Sequence, residues 1–148
     1  MPIRLPLNTL LSQGAVFLHH SFKFQDQTRA KFLVYLSSPQ YPEPLLMVLT
    51  TTDPSRTIPF LPKARQADIL VIPPGELEFF QSQDHTFIDL NNHRSLDKEE
   101  FKREYDQGVI EYKGRLGERH LSQLIQKARV SKILQPDIKM RIVGNQPF

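Results

Sequence analysis

The alternation of apolar and polar residues predicts β-strands in the first half of the chain. In residues 14–24, large apolar side chains recur at a period of two on one face, and smaller or polar residues dominate the other. Residues 31–36 and 45–50 are apolar on both sides, which is typical of strands buried from both directions, as in a small closed barrel. The predicted inward-facing residues of the first strand are Val16, Leu18, Phe22 and Phe24.

Three further strands are predicted at residues 69–72, 86–90 and 109–113. Polar residues 25–28 form the expected hairpin loop between the first two strands, and short pairing is expected near residues 57–61. Ten of the twelve prolines lie before Gly75, and proline is excluded from helix interiors. The first half should therefore consist of strands and loops.

The second half of the chain carries helical signals. Asp97 followed three residues later by Glu100 is typical of a helix start, because each side chain can bond the other's backbone N–H. Phe101 and Tyr105 then share one face, four residues apart, and Gly108 ends this short helix. The pattern predicts one brief helix between the last two strands.

A longer amphipathic helix is predicted over residues 118–134, ended by Pro136. With five to six short strands, a brief helix and this terminal helix over the sheet, the chain is expected to be mainly β, of the α+β class. We expect an N-terminal extension at 1–13, a single domain at 14–135 and a loosely held basic tail at 136–148. The apolar stripe of the long helix comprises Leu121, Leu124, Ile125 and Ala128.

Composition excludes several classes of protein. The chain has no cysteine, so disulfides and thiolate metal sites are excluded, and a reducing, cytoplasmic location is expected. No apolar run approaches the roughly 20 residues that span a bilayer, and a secretory signal is not expected from the proline-interrupted N-terminus. We therefore expect a protein outside the membrane.

Charge is unevenly distributed along the chain. Residues 75–101 carry seven acids and two bases, whereas residues 102–148 carry ten bases and five acids. A basic end can attract phosphate backbones or an acidic partner. A solvated helix face beside an acidic loop explains the same pattern, so charge alone does not decide between the two interpretations.

The order of the motifs resembles that of the MazF/PemK-type toxins. Gly14-Ala15-Val16-Phe17-Leu18 is similar to the glycine and apolar strand that open those proteins. Residues 31–37 resemble their second strand, with Lys31 at the place of the family's arginine and a serine at the end. Leu49-Thr50-Thr51 resembles their Thr-Ser strand end, and the resemblance runs in order over residues 14–134. It implies a small SH3-like barrel.

The resemblance also implies a function. The family contains metal-independent endoribonucleases, which use the 2′-hydroxyl of RNA as nucleophile and need no cofactor. By position, Lys31 or Arg29 would supply the cation, Thr50 and Thr51 would bind the phosphate, and His20 would be the acid or base. The implied partners are RNA, an antitoxin protein and a second copy of the chain in a homodimer.

Each of these residues also has a purely structural interpretation. His20 is expected on the apolar face, where it would be a hydrogen-bonded core or rim residue, with the neighbouring His19 exposed. Thr50 and Thr51 suit the end of a strand before a turn, and Lys31 suits a solvated hairpin. The alternative function is therefore a non-catalytic barrel that binds nucleic acid or peptide, and a scaffold role stays open.

Other catalytic chemistry is not predicted. The histidines lack the spacing of zinc ligands, and no glycine-rich phosphate loop is present. Asp84, His85 and Asp89 have the letters of a catalytic triad, but no serine near them lies in a nucleophile-elbow sequence.

Overall fold

A computed structural model describes residues 5–24, 27–51, 61–80 and 85–144 of the chain. The predicted loop at 25–28 and the predicted pairing near 57–61 therefore lie partly outside the described residues. Asp84 lies outside them as well. Six strands and five helices are present in the described part. In chain order these are α1 Leu7–Leu10, β1 Ala15–Phe24, β2 Gln27–Tyr35, β3 Leu45–Thr51, α2 Lys63–Gln66, β4 Ile69–Ile72, β5 Thr86–Leu96, α3 Lys98–Asp106, β6 Ile110–Arg115, α4 Glu118–Val130 and α5 Pro136–Val143.

The six strands form one antiparallel sheet, curled into a half-barrel, in the order β4-β5-β3-β2-β1-β6. The register is fixed by pairs such as Val16 with Val34 in β1–β2 and Leu33 with Leu49 in β2–β3. The predicted mainly β fold with short helices is confirmed. The strands β2 and β5 are longer than the sequence pattern indicated, because both continue into polar residues.

One face of the sheet packs against α4 and α5. Strand residues such as Val34, Val48 and Ile88 are fully buried there against Leu124 and Ile142 of the two helices. Phe80, from the loop after β4, closes the same core edge-to-face with Phe32 at a ring-centroid distance of 5.1 Å. The predicted C-terminal helix therefore covers the sheet as expected.

The opposite face packs against α1 and α3. Phe17 of β1 meets Phe101 of α3 edge-to-face at 5.2 Å, and both side chains are buried. Leu33 and Met47 of the central strands complete this second core. Burial from both sides is thus confirmed for β3 and for β2 from Leu33 onward, whereas residues 27–30 of β2 are exposed. The expectation of a single apolar face on β1 was wrong, because Phe17 lies in the second core while Val16 lies in the first.

Both ends of the described chain take part in the cores. Leu7 and Leu10 of α1 are buried, and the Tyr105 hydroxyl donates to the Leu5 carbonyl at 2.6 Å. The expected loose tail contains α5, in which Ile138 and Ile142 are buried. The predicted end of the long helix at residue 134 was wrong, since α4 ends at Val130. Pro136 instead stands at the first position of α5, where proline is suited to open a helix.

Helix α3 begins as the sequence predicted. The Asp97 carboxylate accepts a hydrogen bond from the Glu100 backbone N–H at 3.0 Å, which is an N-cap. Phe101 and Tyr105 are its buried residues. The cap therefore fixes the start of the helix that faces the candidate site described below.

Gly14 has a specific backbone role at the start of β1. Its φ is +98°, a conformation that side chains with a Cβ rarely adopt, and its N–H donates to the Tyr35 carbonyl at 2.7 Å. A Cβ at this position would also approach the Leu121 side chain of α4 to 3.3 Å. The glycine that opens the first strand is thus required by geometry.

His93 is expected to make the stability of the fold depend on pH. It lies on β5 opposite Val48, and burial lowers its pKa below the usual value, helped by the charges of Arg94 and Arg141. A histidine whose folded pKa is depressed favours the native state in its neutral form, so stability is lost as the pH falls below about 6.5. We expect His93→Gln to flatten the fall in melting temperature between pH 7.5 and pH 5.0. An unchanged pH profile in this variant would contradict the assignment.

Candidate functional site

The histidine pair on β1 is arranged opposite to the sequence expectation. His19 is 7% exposed, whereas His20 is exposed on the surface. The register of β1 against β2 shifts between His19 and Phe22, which is a β-bulge or similar irregularity. Because of this shift, the rings of His19 and Phe22 meet at 5.4 Å on one face. The expectation that His20 lies on the core face was wrong.

Both ring nitrogens of His19 have hydrogen-bond partners. Its Nδ1 accepts from the Ser21 backbone N–H at 3.2 Å, and its Nε2 lies 2.9 Å from Oε2 of Glu104 on α3. A neutral ring with its proton on Nε2 satisfies both contacts. His19 therefore joins β1 to α3 and orients Glu104, and it holds no unused nitrogen for general base catalysis in this arrangement.

A cavity of about 450 Å³ opens beside this pair, between α3 and the sheet. We call it the α3 cavity. Phe101 and Leu96 contribute to its apolar lining, and the lining also contains positively and negatively charged side chains. A cavity with an apolar floor and a few polar groups is the usual form of a small-molecule or nucleobase site. The polar and charged residues around it are His19, Ser21, Lys23, Arg94, Asp97, Glu100 and Glu104.

Two of the sequence-predicted residues pair with residues that line this cavity. Lys31 is directly opposite His19 in the β1–β2 ladder, and Arg29 is directly opposite Phe22. Residues directly opposite each other in an antiparallel pair share a face, with Cβ atoms roughly 5 Å apart. Lys31 and Arg29 therefore stand on the same face as His19 and Phe22.

The two cations are close enough to affect each other. Burial lowers the pKa of Lys31, and the neighbouring positive charge of Arg29 lowers it further. Arg29 itself is exposed and Lys31 is half-buried. Two like charges held together favour an anion between them, because the anion relieves their repulsion.

The two threonines are separated by the pleat of β3. Thr50 is opposite Ile88 on the face that packs against α4 and α5, and it is 5% exposed. Thr51, one residue on, lies opposite Phe87 on the other face. Alternation along β2 and β3 from the pair Leu33–Leu49 places Lys31 and Thr51 on one face. Thr50 and Lys31 are thus on opposite faces of the sheet.

His20 belongs to a separate surface cluster. Its Nε2 lies 2.9 Å from Oε1 of Glu111 on β6, and Oε2 of Glu111 lies 3.0 Å from Nζ of Lys113. The hydrogen bond from Lys113 and then that from His20 lower the pKa of Glu111. This cluster lies between strands β1 and β6, on the side of β1 away from β2, so His20 is not brought to Lys31.

Sequence reasoning missed Glu104, Arg94 and the role of His19. Arg94 is opposite Met47, so it faces the same side as the second core, and its guanidinium donates to the His93 carbonyl at 2.9 Å. A signal for Glu104 was present, since it lies three residues after Phe101 on the same helical face. Nothing in the sequence placed that face against His19, because the two residues are 85 positions apart.

Metal and membrane features were searched within the described ranges. No group of three or more His, Asp or Glu side chains that would hold a metal ion occurs among residues 5–24, 27–51, 61–80 and 85–144. In the same part of the chain, none of the helices has both the length and the apolar character needed to cross a membrane.

Comparison with known proteins gives no family assignment. The chain matches no family model and no curated protein sequence. The resemblance to MazF/PemK-type toxins therefore stays a prediction from the motif order.

Proposed function

We propose that this chain is a binding module for single-stranded RNA that uses the β1–β2 face beside the α3 cavity. The observation that carries the proposal is the pairing of Lys31 with His19 and of Arg29 with Phe22. This pairing sets two cations and a half-buried aromatic ring on one face. Proteins that bind single strands combine these elements, with cations along the backbone and aromatic rings under the bases.

The α3 cavity adds a place for a base. Phe22 lines it, and its volume of about 450 Å³ suits one planar heterocycle. Arg94 supplies hydrogen-bond donors, and the carboxylates of Glu100 and Glu104 supply acceptors for amino groups on a base edge. In this arrangement Arg29 and Lys31 contact phosphates while the cavity receives a base.

Binding is tested with a fluorescently labelled, mixed-sequence 12-nucleotide RNA in excess chelator. We expect affinity to fall as salt rises from 50 to 200 mM, because each phosphate that a cation neutralises releases counterions. On a single strand each neutralised phosphate adds roughly 0.7 to the salt slope, so Arg29→Gln/Lys31→Gln should weaken binding and reduce that slope by about 1.4. Phe22→Ala should weaken binding about tenfold, because the ring no longer stacks on a base.

The matched control is Lys98→Gln/Lys102→Gln, which removes one half-buried and one exposed cation from α3. This variant should keep the wild-type salt slope to within the error of the titration. Equal weakening in the two double variants would show that only net charge matters and would contradict the proposed face. A matched DNA strand distinguishes RNA from single strands in general, since only RNA offers a 2′-hydroxyl.

The second candidate is the endoribonuclease implied by the motif order. The geometry favours it less, because Thr50 lies on the opposite face from Lys31 and His20 bonds to Glu111. If the chain cleaves RNA, Thr51 is better placed than Thr50 to assist Lys31. The same RNA is incubated in chelator with Lys31→Ala, Thr50→Ala and Thr51→Ala proteins, and the ends are mapped. Cyclic-phosphate ends that the wild-type chain forms and Lys31→Ala does not would replace the binding proposal by the enzymatic one.

The remaining proposals depend on the same resemblance. They are a cytoplasmic location, a homodimer and an antitoxin protein that holds the chain inactive. Light scattering of the purified chain measures the oligomeric state directly. A monomer at micromolar concentration would remove the homodimer from these proposals and leave the RNA proposal in place.

A further inference from the structure

We propose that the groove between α2 and the C-terminal end of α4 is a docking site for an acidic peptide segment that carries an apolar anchor residue. The groove lies with α4, on the side of the sheet away from the α3 cavity. It therefore stands independently of the RNA proposal. We call it the α2–α4 groove.

The shape of the groove is set by two short apolar walls. Its volume is about 420 Å³, and it is lined by Ala64 and Ala67 on one side and Val130 on the other. Small side chains on α2 leave room that a larger side chain from a partner would fill. Val130 is 60% exposed and the nearby Ile133 is 38% exposed, although both are large apolar residues. An apolar side chain inserted here would remove that surface from water.

The rim of the groove is strongly basic. Lys63 and Lys132 line it directly and are exposed. Lys127 of α4 bonds to the lining residue Ala67, since its Nζ donates to the Ala67 carbonyl at 3.2 Å. Residues 61–68 and 127–134 contain five bases and one acid. Of these bases Arg65 is paired with Asp89 at 2.9 Å. The one acid, Asp68, lines the groove but is 1% exposed, so the exposed charges of the lining are those of Lys63 and Lys132.

Charge complementarity and the apolar walls together select the partner. A cationic rim attracts acidic side chains and excludes basic ones. Aromatic rings that would stack on bases are absent from the described lining of the groove, which between its lysines consists of Ala64, Ala67 and Val130 with the polar Asp68 and Ser131. An acidic peptide with one branched apolar residue satisfies both features, whereas a nucleic acid satisfies only the charge.

The groove is also held in a defined shape. The Ser131 hydroxyl accepts from the backbone N–H groups of Ile133 and Leu134 at 3.1 Å each, and it donates to Asp68. These bonds fix the turn after α4 against the segment that enters β4. A preformed groove loses less conformational entropy on binding than a mobile one.

The proposal is tested with the full chain, labelled with ¹⁵N, and a 10-residue peptide of aspartate and glutamate with two leucines. We expect amide shifts at residues 63–68 and 127–133. Lys63→Glu/Lys132→Glu should weaken peptide binding by about tenfold or more, because two attractive rim charges become repulsive. Lys98→Glu/Lys102→Glu makes the same charge change on α3 and should change the affinity by less than about twofold.

The apolar anchor is tested separately. Val130→Ser should weaken peptide binding about three- to tenfold, and Val71→Ser, at a similarly exposed valine of β4, is its control. A leucine-free acidic peptide that binds as tightly as the first peptide would overturn the anchor and thereby the proposal. A 12-nucleotide RNA that produces the same amide shifts would also overturn it, since the groove would then be a second nucleic-acid surface.

Discussion

Phe101→Ala is expected to lower the free energy of unfolding by about 3–5 kcal/mol. Phe101 is 2% exposed, and its ring meets Phe17 edge-to-face at 5.2 Å in the core between α3 and the sheet. Truncation removes the transfer free energy of the ring and leaves a space that β1 cannot fill, because Phe17 is also held by Tyr112 at 5.6 Å. Urea unfolding followed by far-ultraviolet circular dichroism measures the change.

The control for this prediction is Phe22→Ala. Phe22 is only partly buried, so its truncation should cost about 1 kcal/mol while weakening RNA binding. The two phenylalanines thus separate stability from the proposed binding. A decrease below about 1.5 kcal/mol for Phe101→Ala would mean that α3 is not anchored on the sheet as described. The position of Glu104, one turn further along α3, would then be in doubt as well.

The parts of the fold that the sequence predicted are those with a local signal. Strand β3 and the end of β2 from Leu33 onward are buried on both faces, and their continuous apolar runs indicate this without any knowledge of neighbours. The start of α3 follows from Asp97 and Glu100 alone, since an N-cap is made within four residues.

The parts that the sequence did not predict depend on long-range register. His19 faces α3 because β1 alternates regularly from Phe17 to His19 and Phe17 packs against Phe101 of α3, a contact between distant segments. The irregularity between His19 and Phe22 then brings Phe22 to the face of His19, and no nearby residue marks its position. The separation of Thr50 from Lys31 depends on the pairing of Thr50 with Ile88, 38 positions away. The order of the motifs predicts which strand each residue belongs to. A site also requires its side chains to share one face of the sheet, and this is determined by the register of the strands.

The C-terminal residues illustrate a different source of error. Basic composition suggested a loose tail, yet Ile138, Ile142 and Val143 are buried at a spacing of four and five residues. The lysine and arginine of α5 are half-buried and bond to neighbouring elements, since Lys139 donates to the Arg129 carbonyl at 3.5 Å and Arg141 donates to the Pro44 carbonyl at 2.9 Å. The basic composition of this segment therefore did not reveal its helix, whose apolar residues pack against the sheet.

Asp68→Ala is expected to lower the free energy of unfolding by about 2–3 kcal/mol. One carboxylate oxygen of Asp68 accepts from both the Ser131 hydroxyl at 2.7 Å and the Asn91 amide at 2.8 Å, and the residue is 1% exposed. Removing it leaves a buried hydroxyl without its acceptor and the amide of Asn91 without this partner, and an unsatisfied buried polar group costs about 1–3 kcal/mol. The measurement is again urea unfolding. An unchanged dependence of the free energy of unfolding on urea concentration would show that the variant and the wild-type chain expose the same surface on unfolding.

Comparison with Asp68→Asn shows why the acceptor matters more than the charge. The other carboxylate oxygen, Oδ1, is buried and has no hydrogen-bond partner within the described part of the chain. Asparagine keeps one acceptor oxygen for Ser131 and removes a buried charge, so it should destabilise the fold clearly less than alanine does. If the two variants lost equal free energies of unfolding, the charge of Asp68 would matter more than its acceptor oxygen.

Because Ser131 also shapes the turn after α4, Asp68→Ala should in addition weaken binding of the acidic peptide, whereas Asn91→Ala should affect stability alone.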